Sequence, residues 1–428
     1  MDKVLRWIDD RFPLTALWES QWGKYVAPKN FNFWYYFGSL AAFVLVLQIV
    51  TGIFLTMNYK PDAAKAFESV EYIMRDVQWG WLIRYMHSTG ASMFFVVVYL
   101  HMFRALMYGS YRKPRELIWI IGCLIYLALM AEAFFGYLLP WGQMSYWGAQ
   151  VIVNLFATVP VIGEDLALWI RGDYTISDIT LNRFFAFHVI ALPLVLLGLV
   201  AAHLTALHES GSNNPDGIEI KKQPKDPATG LPLDGIKSHP YYTVKDIVGV
   251  IVFLAVFSVI VFFAPEMGGY FLEYNNFLPA DPLKTPEHIA PVWYFTPFYA
   301  MLRAVPSEIL PFLPATQFYG VLVMGAAVMI LFALPWLDRG AVRSIRYRGG
   351  LYKSWLAAFV VAFLVLGYLG VVPVTVWGQF PPGVPLIGGV DVATIAARVL
   401  TLVYFLFFLL MPWYTARDKT KPVPSRVR

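Results

Sequence analysis

Trp81–Met107 reads WLIRYMHSTGASMFFVVVYLHMFRALM, and this stretch decides the fold. It is long and apolar enough to cross a bilayer, yet it carries His87 and His101, fourteen residues apart. Fourteen residues is close to four helical turns, so both imidazoles leave one face, roughly 21 Å apart along the axis at about 1.5 Å per residue. A hydrocarbon core of about 30 Å holds both, one toward each surface. An ionisable group in lipid is costly and marks a functional site.

Working outward, Phe184–Leu207 repeats the arrangement with His188 and His203, fifteen apart. Two spans with two histidines each offer two facing pairs, as two stacked six-coordinate haems require. Gly38 and Gly52 in the first span, and Gly122 and Gly136 in the third, share the fourteen-residue repeat. Glycine weakens a helix but lets a flat object approach its backbone closely. The matched repeat therefore suggests macrocycle faces against spans one and three; helix packing through small residues is the competing explanation. Arg84 precedes His87 by three residues and Arg104 follows His101 by three, each on the face of its histidine. They are partners for haem propionates, or arginines snorkelling to the membrane surfaces.

With 428 residues, 58% hydrophobic and 14% charged, the chain is composed as a polytopic membrane protein. Eight apolar runs lie at roughly 33–57, 80–107, 116–138, 182–207, 246–264, 317–337, 354–373 and 392–413. With eight spans the termini share a side, and that side carries 24 Lys and Arg against eight on the other. The bias places both termini in the cytoplasm. Spans two and four then run parallel, which pairs His87 with His188 toward the outer face and His101 with His203 toward the inner. The net charge of +5 sits in loops, so topology accounts for it and nucleic acid is not expected. Cys123 is the single cysteine, which excludes disulfides, iron–sulfur clusters and CxxCH-attached haem within this chain. The N-terminus, MDKVLRWIDDRFPLTALW, reads as an interfacial amphipathic helix without a cleavable signal. Loop 141–180 holds two helix-like runs, and residues 218–238 read as an exposed, mobile insertion.

The expected fold is thus all-α, a polytopic membrane protein of eight transmembrane helices. Its organisation is a haem-binding four-helix bundle at 1–210 (spans one to four) for two b-type haems, a polar inner loop at 211–245 and a four-span domain at 246–428.

The segments GWLIRYMHSTGAS, HMFRALMYGSY, GYLLPWGQMSYWGAQVI, RFFAFH, HESGSNNP, HPYYTVKD and PVWYFTPFYAMLR resemble cytochrome b of the cytochrome bc1 complex over about residues 30–413. The resemblance implies quinol:cytochrome c oxidoreduction coupled to proton translocation, with quinol oxidised outside and quinone reduced inside. It assigns His87 and His188 to the low-potential haem b, and His101 and His203 to the high-potential one. The outer quinol site would use Tyr137, Gly142, Gly148, Pro291, Trp293, Tyr294 and Tyr299. The inner quinone site would use His208, Ser212, Lys245 and Asp246, with Asn213 near haem propionates. Partners implied are the Rieske iron–sulfur protein, cytochrome c1 and a second copy of the complex, in a bacterial inner membrane.

Two positions depart from the family pattern. Its outer motif reads Pro-Glu-Trp-Tyr, whereas here Val292 occupies the second position and cannot accept a proton. Glu132, within span three, and Glu287, five residues before Val292, are candidate replacements. The fifteen-residue interval also turns His203 by about 100° relative to fourteen on an ideal helix. Pro193 is expected to introduce the distortion that restores facing. Two other readings remain open on the residues alone: a haem-free proton-coupled transporter, and another dihaem b membrane anchor.

Overall fold

The computed structural model describes residues 2–306, 316–372 and 392–428. Eight helices are long and apolar enough to span a membrane: Phe33–Thr56, Gly80–Tyr108, Glu116–Leu138, Asp178–Ser210, Tyr241–Phe263, Phe318–Leu337, Gly350–Val371 and Val392–Leu409. They coincide with the expected spans; the expected end of span seven, residue 373, lies outside the described residues. A helix closes its own backbone hydrogen bonds, the one requirement lipid imposes on a single crossing segment.

Span two is the axis. Over half of its most apolar stretch (56%) is buried, against 11% for span four, which turns most of its surface outward. Span two packs on spans one and five, and span four on span three. Span two ends at Gly109 with φ 64°, and a Cβ there would press on the Arg343 backbone. Only glycine takes that turn without strain. Spans six, seven and eight gather around a short helix, Thr296–Ala304. Span six is tied to span three by the Trp119 indole, which donates to the Leu331 carbonyl at 2.7 Å.

One face carries both termini. Strand β1 (Val26–Pro28) pairs antiparallel with β2 (Gly235–Lys237). Asp234 is fully buried between Lys29 and Arg426 and accepts from the Val427 amide. Asp216 accepts from Arg346, the Tyr347 hydroxyl and the Arg428 amide. Glu219 takes both Arg115 and Arg343. Burial alone would raise the Glu219 carboxyl, but these two guanidiniums hold it below its ordinary value. Residues 218–238 are exposed over most of 221–230, as expected, but the segment is pinned at Glu219 and Asp234. Their carboxylates are charged staples that sequence polarity did not distinguish from a solvated loop.

The opposite, distal face carries the connections after spans one, three and five. Two helices, Gln143–Ala157 and Gly163–Arg171, fill the third connection, as expected. The Tyr59 hydroxyl donates to the Leu139 carbonyl at 2.6 Å, and Gln143 bonds both Lys284 and Asp281 of the fifth connection.

Candidate dihaem and quinone sites

His87 and His188 face each other with ring centroids 6.1 Å apart and planes crossed at 88°. His101 and His203 do so at 6.4 Å and 58°. One metal held between two imidazoles needs about 2 Å per metal–nitrogen bond, plus roughly 1 Å from nitrogen to ring centre on each side, hence about 6 Å. Both gaps fit.

The fifteen-residue interval is absorbed where Phe187–Ala191 forms one turn of π-helix. A π turn takes up an extra residue, so His203 returns to the face of His188. Pro193 stands two residues beyond and has no N–H for the Val189 carbonyl, so the chain cannot continue as plain α-helix there. The expected distortion exists, and its form is a π turn.

Each histidine is seated against a glycine of the neighbouring span. A Cβ on Gly38 would stand 3.3 Å from His101 Cε1, on Gly52 3.3 Å from His87 Cε1, and on Gly122 3.3 Å from His203 Cε1. On Gly136 it would overlap the His188 ring. The sequence matches these glycines to macrocycle faces; among the described residues, an imidazole lies against each.

The second ring nitrogens differ. His87 Nδ1 is 2.9 Å from Thr51 Oγ1. His188 Nδ1 is 2.9 Å from the Glu132 carbonyl and 3.1 Å from its carboxylate. Among the described residues, His101 Nδ1 has only Arg104, at 3.3 Å. His203 Nδ1 is buried near the Ile118 backbone without a hydrogen bond. The Arg104 guanidinium lies 4.8 Å over the Tyr35 ring, and its Nε is buried without a partner. Such an orphaned cationic donor suits a propionate. Arg84 makes no hydrogen bond or ion pair with a described residue. Asn213 donates to the Tyr108 carbonyl at 2.8 Å and leaves Oδ1 buried and unpartnered.

At the distal face lies a cavity of about 310 Å³, lined among others by Met144, Glu273, His288, Pro291, Trp293 and Val371. Pro291 and Trp293 were expected there. Tyr294 is buried beside it, stacked on Phe95 at 3.9 Å. Gly142 precedes helix Gln143–Ala157, and a Cβ on it would collide with Asn276. Gly148 leaves room for the Tyr137 ring, 3.5 Å from where its Cβ would be. Tyr299 lies under the Arg303 guanidinium. Val292 is buried, Glu287 is exposed, and neither lines the cavity. Nor does Glu132, whose carboxylate is occupied beside His188. The acid in the wall is Glu273, and Tyr137 donates to its Oε2 at 2.8 Å. Desolvation pushes that carboxyl up to about 7, although the Tyr137 bond opposes the rise. Sequence reasoning missed Glu273; the only available sign was an acid in an aromatic connection.

At the terminal face the expected inner residues form two clusters built on residues 21–39. His208 Nδ1 meets Gln21 Oε1 at 2.5 Å, its ring packs on Tyr25, and Ser212 Oγ is 2.7 Å from the Tyr25 hydroxyl. Asp246 accepts from Ser39 at 3.0 Å, and Lys245 lies 5.1 Å over the Tyr241 ring. Gln21, Tyr25 and Ser39 carried no motif of their own.

Comparison with known families decides the assignment. Residues 22–211 match the family described as Cytochrome b/b6/petB, and residues 279–380 match Cytochrome b(C-terminal)/b6/petD. Cytochrome b of Allochromatium vinosum is 62% identical over 99% of this chain and 98% of its own. The chain belongs to the cytochrome b family. The cytochrome b of Rhodospirillum rubrum is 46% identical over 100% of this chain and 96% of its own. A solved chain of a hyperthermophilic respiratory Complex III superposes with a TM-score of 0.82 at 37% identity, covering 96% of this chain and 99% of that one. This is the cytochrome b subunit of a bc1 complex, a multi-pass membrane protein and the catalytic core of quinol:cytochrome c oxidoreduction. The family binds two b-type haems and uses quinone as substrate. A haem-free transporter is not favoured.

Proposed function

We propose that His87 with His188, and His101 with His203, are the axial ligands of the two haems. The observation that carries this is the two ring gaps of 6.1 and 6.4 Å on parallel spans. When bound, the haems would supply a one-electron carrier at each histidine pair. The chain fixes the ring orientation for them. Acceptors at Nδ1 of His87 and His188 select the tautomer that turns Nε2 toward the metal. Arg104 and Arg84 hold propionates, and Asn213 borders the terminal-face haem.

The distal cavity takes quinol, with Trp293, Pro291 and the Tyr137 hydroxyl bounding the ring. At the terminal face His208, Ser212, Lys245 and Asp246 hold a quinone and supply its protons. The Lys and Arg bias supports cytoplasmic termini in a bacterial inner membrane, with the distal face outside. Domain limits at 1–210, 211–245 and 246–428 follow the two sets of spans. The Rieske protein and cytochrome c1 take the electron that leaves outward, within a homodimeric complex.

The test is a redox-difference spectrum of the purified complex, with each histidine replaced by leucine in turn. Two b-type haems titrating separately are expected in the parent. His87→Leu and His188→Leu should remove one of them, and His101→Leu and His203→Leu the other. Two intact six-coordinate haems in any of these variants overturn the ligand assignment.

A further inference from the structure

The cavity beside Pro291 and Trp293 is the proposed site of quinol oxidation, and the residue at position 292 is a buried valine. Oxidation of a quinol needs a proton acceptor within reach. Among the described residues lining this cavity, Glu273 is the one carboxylate. It is contributed by the chain segment after span five, nineteen positions before Val292. Tyr137, at the end of span three, donates to it at 2.8 Å. Glu132 faces His188 instead, and Glu287 points to solvent.

We propose that Glu273 is the residue that takes a proton from quinol in this cavity, restoring from another loop the acid that Val292 does not supply. The inference rests on the cavity being the quinol site. In the step, one O–H bond of the quinol breaks and its proton forms a new O–H bond on the Glu273 carboxylate. One electron would leave for the haem that His87 and His188 would hold. The second electron and second proton leave toward the iron–sulfur partner, so quinol becomes quinone with two electrons and two protons removed. Glu273 then returns its proton to water on the distal side. The titratable groups around it are Tyr137 from span three, Tyr270 and Tyr274 from its own segment, and His288 and Tyr294 from the approach to Thr296–Ala304. Tyr137 is positioned to orient the carboxylate, while the His288 Nε2–H donates to the Val371 carbonyl, 2.9 Å away. Burial pushes the Glu273 carboxyl up to about 7. Its base form, the competent one, is therefore lost as pH falls through that value.

The experiment uses the whole complex, with decylubiquinol as donor and cytochrome c as acceptor. Glu273→Gln should lower kcat on the order of 100-fold and abolish the rise of turnover between about pH 6 and 8, with both b-haem bands retained. Glu273→Asp should keep that rise. Tyr137→Phe should move it to higher pH, because the hydrogen bond that holds the carboxyl down is gone. Normal kcat and a normal pH profile in Glu273→Gln overturn the proposal. If Glu273→Gln does not assemble, the Tyr137→Phe profile decides, and an unmoved limb overturns it. Ala290→Trp, which fills the cavity, separates the two levels. Unimpaired turnover there refutes the cavity as quinol site, whereas loss there with a normal Glu273→Gln refutes Glu273 alone.

Discussion

The two histidine pairs have similar ring gaps, 6.1 and 6.4 Å, and each ring has a glycine seat, yet their surroundings differ. The distal pair is wrapped in acceptors: Thr51 at His87, and both the carbonyl and the carboxylate of Glu132 at His188. The terminal-face pair has a cation, Arg104, at His101, and His203 Nδ1 has only the nearby Ile118 backbone, with no hydrogen bond formed among the described residues. An acceptor on the outer ring nitrogen makes the imidazole a more basic ligand and favours the oxidised metal. A nearby cation does the reverse. If these histidines hold the two haems as proposed, the difference would give the haems different electron affinities, with the distal one the easier to oxidise. On the proposed reading, that ordering would let an electron taken from quinol at the distal face run downhill to the terminal face.

The largest effect expected is from removing a ligand. His188→Leu should eliminate the distal haem band and drop steady-state turnover by three orders of magnitude or more, measured with quinol and cytochrome c. If both haems persist, the comparison has no basis. Next come the glycine seats. Gly136→Ala should displace His188 and lose most of the distal haem, whereas Gly52→Ala, with its Cβ 3.3 Å from His87 Cε1, needs a shift of only a few tenths of an ångström. Haem content by difference spectroscopy checks the contrast, and equal losses would mean that the seat is set by the macrocycle. A smaller effect is expected at Glu132. Glu132→Gln weakens the acceptor at His188 and should raise the distal midpoint potential by roughly 30–60 mV, about one tenfold step at most for a one-electron couple, leaving the other haem unmoved. Near-normal turnover would accompany it, since Glu132 faces the histidine and not the cavity. Thr51→Val should move the same potential in the same direction by less, because a hydroxyl is a weaker acceptor than a carboxylate. A shift confined to the terminal-face haem in either variant would reverse the comparison.

The same contrast runs through the acids. Glu132 and Glu287 were legible as candidates because they lie in or near recognisable motifs. Glu273 was not, because its claim rests on Tyr137, 136 residues away in sequence. The anchoring of loop 218–238 was hidden for a like reason. Asp234 and Glu219 look solvated until Arg426, Lys29, Arg115 and Arg343 arrive from distant parts of the chain.

The sequence by itself determined the eight crossings, the parallel course of spans two and four, and the four histidines. Apolar length and a near-3.6 period are local properties that survive in one dimension. Tertiary structure decided how fifteen residues do the work of fourteen, what each Nδ1 bonds to, and which carboxylate reaches the distal cavity. Those outcomes depend on distances between groups that no stretch of chain contains together, and in a low-dielectric interior such distances set both proton affinity and ligand basicity.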